Sequence, residues 1–131
     1  MRRREILGYA GRVAGLQALG GVAMTAHAQS VGVSDNRILL GQSAPFSGAA
    51  EQLGLQFYLG AQLYFEALNA KGGVNGRNIE IKRLDDGSEP ERCVANTRQL
   101  IDEGVFALFG YIGTPTGVVA LPLATEAKVP F

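Results

Sequence analysis

The run Tyr111-Ile112-Gly113-Thr114-Pro115-Thr116-Gly117 gathers residue types suited to holding a small anion. Two hydroxyls, Thr114 and Thr116, alternate with positions of low bulk, and Pro115 suits the first turn of a helix. With Thr114 as N-cap, free backbone N–H groups at the helix start would face a carboxylate. Gly113 would let a ligand approach the backbone, and Tyr111 opens the same segment. The plainer alternative is that Thr114 only caps its helix. A second candidate is Ala44-Pro45-Phe46-Ser47-Gly48. Ser47 and Gly48 read as a simple turn or as a backbone cradle. Phe46 and Leu53 read as an apolar wall or as closure of the core.

Other chemistry finds less support. Asp85-Asp86 could act as a general acid and base, or hold magnesium. Consecutive strand residues point to opposite faces, so hydrogen bonds to loop N–H groups are the preferred role. Cys93, the only cysteine, falls near the apolar side of a helix and reads as a small buried residue rather than a reactive thiol. The only histidine, His27, falls in a segment read as an export signal. Without it the chain cannot build a Ser-His-Asp, Cys-His or His-ligated metal site. Residues 110–117 lack the lysine and spacing of a phosphate loop and the spacing of a dinucleotide fingerprint. Neither loop holds a G-x-S-x-G serine. The expectation is therefore a chain without catalysis, cofactor or metal.

Positioning these loops requires strands and helices in alternation. Ile38–Gly41 reads as a buried strand and Ser43–Gly54 as a loop. Leu53–Ala70 reads as a helix with Phe57, Ala61, Tyr64, Phe65 and Leu68 on one face. Gly72–Gly76 turns the chain into a strand at Ile79–Leu84. Ser88 and Glu91 predict a capping box opening a second helix. That helix turns Val94, Thr97, Leu100 and Ile101 inward and ends near Gly104. Val105–Phe109 reads as a third strand, 110–116 as a loop and 117–127 as a third helix. Val129–Phe131 begins a fourth strand. This order predicts an α/β fold: a doubly wound, mainly parallel sheet with helices on both faces. Ligands of such sheets bind beyond the strand C-terminal ends at a topological switch point, where the loops after the first and third strands lie.

The 131 residues allow one domain, and 47% hydrophobic against 18% charged residues fits a folded core. Residues 1–28 read as a cleaved signal peptide. Arg2–Arg4 form a basic start, Val13–Met24 a weakly apolar stretch, and Ala26-His27-Ala28 a small-x-small site cut before Gln29. Arg3-Arg4-Glu5-Ile6-Leu7 also resembles a twin-arginine pattern, without the preceding Ser or Thr. Arg12, Gln17 and several glycines interrupt the stretch, against a membrane anchor of about 20 apolar residues. The remaining residues, 29–131, hold eight basic and eleven acidic side chains, a net of −3. That balance gives no electrostatic reason to seek nucleic acid or anionic lipid.

Ala70-Lys71-Gly72-Gly73-Val74-Asn75-Gly76-Arg77, then Ile79-Glu80-Ile81 and Asp85-Asp86, resembles the type I periplasmic solute-binding proteins of branched-chain amino acid ABC transporters. Ala44–Gly48 and Ile101–Gly110 support the resemblance, which covers Ile38 to Phe131. It implies a soluble periplasmic protein of two lobes that close over a ligand and dock on an inner-membrane permease, without stable membrane insertion. Residues 29–131 would then form an incomplete N-terminal lobe with its ligand open to solvent on one side. The resemblance places Thr114 against the ligand's α-carboxylate and Leu53 near the wall from the first loop. Ser88 and Gly113 stand where some members carry a disulfide, so that bridge is not expected. Branched-chain amino acids, other amino acids, amides, urea-like molecules and small carboxylates all stay open as ligands. A sensory or interaction lobe is the alternative, and an enzyme using Asp85 or Asp86 ranks last.

Overall fold

The computed structural model describes residues 31–131. The expected signal peptide, its cleavage point and His27 lie outside them. Six elements follow in order: β1 (Arg37–Ala44), α1 (Glu51–Asn69), β2 (Asn78–Asp85), α2 (Pro90–Asp102), β3 (Ala107–Leu108) and α3 (Thr114–Ala127). The strands form one parallel sheet in the order β2-β1-β3. Among the described residues no helix is long and apolar enough to cross a membrane.

The central strand β1 is longer than expected. It pairs with β2 from Arg37↔Asn78 to Ala44↔Asp85, so Ser43 and Ala44 belong to the ladder rather than to a loop. Its far edge meets β3 only at Leu40↔Ala107 and Gly41↔Leu108. The carbonyls of Leu39 and Gly41, two positions apart, accept from the N–H groups of Phe106 and Phe109, three positions apart. One extra residue therefore bulges out of the third strand, which is why only two residues of the apolar run 105–109 are regular strand. The expected fourth strand is not formed, although the Leu108 N–H donates to the Pro130 carbonyl at 2.8 Å beside β3.

The pleat of β1 sends its side chains to two helical layers. A Cβ on Gly41 would stand 3.1 Å from methyls of Leu100 and Val105, which places Gly41 under α2. Ser43 on the same face reaches Asn96 of α2. That layer holds the main core of Leu100, Val105, Leu108 and Ala124, with Leu39, Leu84, Tyr111 and Val129 against it. α2 and α3 pack on each other here. On the opposite face Phe57 and Phe65 of α1 pack on Phe109, each with ring centroids 5.7 Å apart. The expected two-faced, doubly wound arrangement is what forms.

Local details differ from expectation. Tyr64 was placed on the inner face of α1, yet it is 67% exposed. A helix advances 100° per residue, and the half-buried stripe through Tyr58, Ala61, Phe65 and Leu68 leaves Tyr64 on the flank with Phe57. The Ser88 capping box does not form. Ser88 takes φ 67°, its N–H is held by Asp86 Oδ1, and Glu89 becomes the N-cap of α2 with no side-chain cap bond. α3 begins at Thr114, three residues ahead of 117, because Pro115 is already set for helix.

Candidate functional site

β1 lies between β2 and β3, so the chain leaves it toward one neighbour through α1 and reaches the other through α2. The loops after β1 and β3 diverge at this switch point. Both are built by hydrogen bonds from the residues beneath them.

The loop after β1 is fastened by the two aspartates. Asp85 Oδ1 accepts the N–H groups of Phe46 and Gly87, and Oδ2 accepts the Ser47 hydroxyl at 2.6 Å and the Arg92 guanidinium at 2.9 Å. Burial alone would raise the Asp85 pKa. The bonds from Ser47, Phe46, Arg92 and Gly87 outweigh it and bring the value down to about 2. Asp86, fully buried, accepts the Ser43 hydroxyl at 2.8 Å and the Ser88 N–H. The two carboxylates thus hold separate sets of groups, Asp85 from the last position of β2 and Asp86 from the residue just after it. Cys93 is buried against Thr97 and the Thr116 carbonyl, and burial pushes its thiol up, opposite to what a nucleophile needs.

The loop after β3 turns out of the sheet at Gly110, φ 68°, and reaches α3 through Gly113, φ 101°. Gly113, not Thr114, is the N-cap, and no side chain caps the helix. Thr114 is the first helical residue. Both Gly113 and Thr114 are exposed, so the start of α3 presents uncapped N–H groups beside a free hydroxyl. Thr116, two residues on and so on the opposite side of the helix, is buried, with its hydroxyl on the Ile112 and Gly113 carbonyls. It shapes the turn from inside. The Tyr111 hydroxyl lies 3.0 Å from Thr97 Oγ1, and burial pushes the phenol well above its usual range. The Tyr111 ring meets Phe131 with centroids 5.0 Å apart.

The residues singled out in the sequence therefore divide. Gly113 and Thr114 are brought to the surface at the helix start. Leu53 is 60% exposed in the first turn of α1. Ser47 has its hydroxyl engaged by Asp85. The Phe46 ring packs edge-on against Tyr58, with the Arg83 guanidinium 5.3 Å from the Phe46 centroid and 4.4 Å from that of Tyr58. A recess of about 290 Å³ lined by Leu108, Gly110, Tyr111 and Phe131 opens beside the β3 loop. Two larger hollows, of about 490 and 520 Å³, contain no residue of either loop. One lies between α2 and α3, at Arg98, Ile101 and Leu123; the other is lined by Val31, Val105 and Pro130. The recess beside the β3 loop is the more relevant because it shares residues with the loop that ends in the exposed helix start.

Sequence reasoning missed Gln42. It is fully buried in β1, and its Nε2 donates to the Gly110 carbonyl at 3.0 Å. The available signal was a lone amide inside Ile38-Leu39-Leu40-Gly41-Gln42-Ser43-Ala44. Among the described residues no cluster of three metal-ligating side chains occurs.

A parallel sheet with helices on both faces, whose diverging loops end in an uncapped helix start, defines a doubly wound α/β lobe of the kind that binds ligands at its switch point. A family model described as periplasmic binding protein matches residues 37–131, and the chain belongs to this family. An amino acid binding protein of Pseudomonas aeruginosa is 31% identical over 93 residues, which is 70% of this chain and 25% of that protein. A fatty acid ABC transporter substrate-binding protein from Thermomonospora curvata superposes with a TM-score of 0.73 at 32% identity, covering 77% of this chain and 26% of that one. A branched-chain amino acid transporter substrate-binding protein from Streptococcus pneumoniae, in complex with isoleucine, gives a TM-score of 0.69 at 31% identity, with 72% and 28% covered. The chain thus spans about a quarter of the length of these relatives.

Proposed function

We propose that this chain is the solute-capturing lobe of an ABC importer's binding protein, without catalysis. Its ligand is a small, amino-acid-like carboxylate, passed to an inner-membrane permease. Residues 1–28 export it to the periplasm and are removed before Gln29. The observation that carries the reading is the start of α3, where the exposed Thr114 hydroxyl stands beside uncapped N–H groups at the switch point. Fatty acids and isoleucine, named for the two structural relatives, share a carboxylate and an aliphatic portion and differ in the α-ammonium and in chain length. A contact made to that group serves both, and the rest of the ligand is read elsewhere.

Calorimetry with L-isoleucine and a panel of other carboxylates tests this. One lost hydrogen bond to a charged group is worth about 1.5–3 kcal/mol, so Thr114→Ala should weaken binding roughly 10- to 100-fold. Unchanged affinity in that variant overturns the Thr114 assignment. Silence across the whole panel overturns the carboxylate reading.

A sensory or interaction lobe is favoured by one observation of its own. α1 exposes Leu53, Leu59, Leu63 and Tyr64, with Leu63 70% exposed. Chains that associate in light scattering while binding none of the panel would support that alternative.

A further inference from the structure

Parallel strands covered on both faces are built mainly from apolar residues. Gln42 nevertheless stands in the central strand β1 and is wholly buried. Its Nε2 bond to the Gly110 carbonyl joins positions 68 residues apart. Among the described residues its Oε1 is buried without a hydrogen-bond partner. The reverse amide orientation would set an acceptor against the carbonyl, so the donor side must face Gly110. Half-satisfied buried amides are unfavourable, and a shape-matched apolar residue would avoid the cost. The bond that is made therefore calls for a reason.

Gly110 supplies one. It is the residue at which the chain leaves β3, in the left-handed region at φ 68°. A Cβ there would lie 2.4 Å from Phe57 Cε1 and 2.8 Å from Gln42 Nε2, so Gly110 is wedged between α1 and the Gln42 amide. Three residues later Gly113 caps α3 and Thr114 begins it. We infer that Gln42 is the positioning residue of the binding loop: by holding the Gly110 carbonyl it fixes where the α3 N-terminus is presented to ligand. This rests on reading residues 110–114 as the ligand-contacting loop. Gln42 itself lies beneath that loop and acts through it.

The test uses ¹⁵N relaxation on the full chain with Gln42→Met and Gln42→Glu. Methionine keeps the bulk and donates at no pH. Glutamate donates only when protonated, and burial raises its pKa, so pH switches the tether. In the wild type, Gly110–Gly113 should be rigid, with order parameters of about 0.85 at acid and neutral pH alike. In Gln42→Met they should fall below about 0.6 at both, with Ile79–Leu84 unchanged. Gln42→Glu should be rigid below the titration of its carboxyl, which burial moves upward, and loose above it, a dependence that support of the core alone would not produce. A loop that stays rigid in Gln42→Met overturns the inference. So does loosening of Ile79–Leu84 in step with the loop, or a Gln42→Glu loop indifferent to pH. Calorimetry with L-isoleucine adds a second arm. Affinity reduced about tenfold in Gln42→Met supports coupling to the site, and equal affinity overturns it. If the wild type gives no heat with any carboxylate, the proposed function fails, while the relaxation data still decide the role of Gln42.

Discussion

The Ser47 hydroxyl donates to Asp85 Oδ2 at 2.6 Å and so fastens the loop after β1 to the end of β2. With the Phe46 and Gly87 N–H groups on Oδ1, one carboxylate ties the loop after β1 to the turn after β2. The bond fixes the loop before any ligand arrives, which reduces the ordering cost of binding.

Acid should loosen this arrangement. The folded pKa of Asp85, about 2, lies below its ordinary value of 3.8. Its stabilising contribution is therefore complete above the unfolded value and is lost as pH falls toward 2. Asp85→Asn should cost roughly 1–2 kcal/mol at neutral pH, discounted for partial exposure, and flatten the acid limb of the stability curve. Urea melts of both proteins from neutral to acid pH measure it. An unchanged acid limb would refute the role.

Two glycines of α1 should respond to alanine with opposite signs. A Cβ on Gly54 would stand 1.9 Å from the Pro45 carbonyl oxygen, a backbone clash that must displace the loop. Nothing lies within 4 Å of a Cβ on Gly60. Gly60→Ala should stabilise by up to about 1 kcal/mol through helix propensity, and Gly54→Ala should destabilise despite the same propensity gain. Paired thermal melts give the comparison directly.

Leu100 is the largest fully buried side chain and faces both Gly41 and the α3 layer. Leu100→Ala should cost about 2–5 kcal/mol, read from the denaturant midpoint. A cost well under that range would show that α2 can collapse onto the sheet.

Cys93 should react slowly with a thiol reagent in the folded chain and fast in denaturant. Burial both shields the sulfur and disfavours its thiolate. Labelling at equal rates in the two conditions would contradict the packing of α2 against Thr116.

Much of this fold is legible because its signals are local. The apolar run of β1 and the Gly72–Gly76 turn each announce themselves within a few residues. The consecutive Asp85 and Asp86 also reveal their bracing role through spacing alone. What escaped depends on partners far along the chain. The bulge in β3 follows from the register of Phe106 and Phe109 against β1, which no window of 105–109 contains. The Ser88 box failed because Asp86 had already taken the Ser88 N–H and turned that residue left-handed. Gln42 looked like a stray amide because Gly110 is 68 positions away. For the loop residues, type suggested chemistry but not availability. Thr114 and Thr116 read alike, yet only the hydroxyl of Thr116 is committed to backbone carbonyls.

The wet apolar flank of α1, with Leu53, Leu63 and Tyr64 all more than half exposed, also bears on the fate of the chain in the cell. Nothing in that stripe carries charge, so salts that favour apolar contact should drive self-adhesion there. A chaperone that reads uncharged apolar stripes would find one here, so the surface that favours self-adhesion would also mark the chain for quality control.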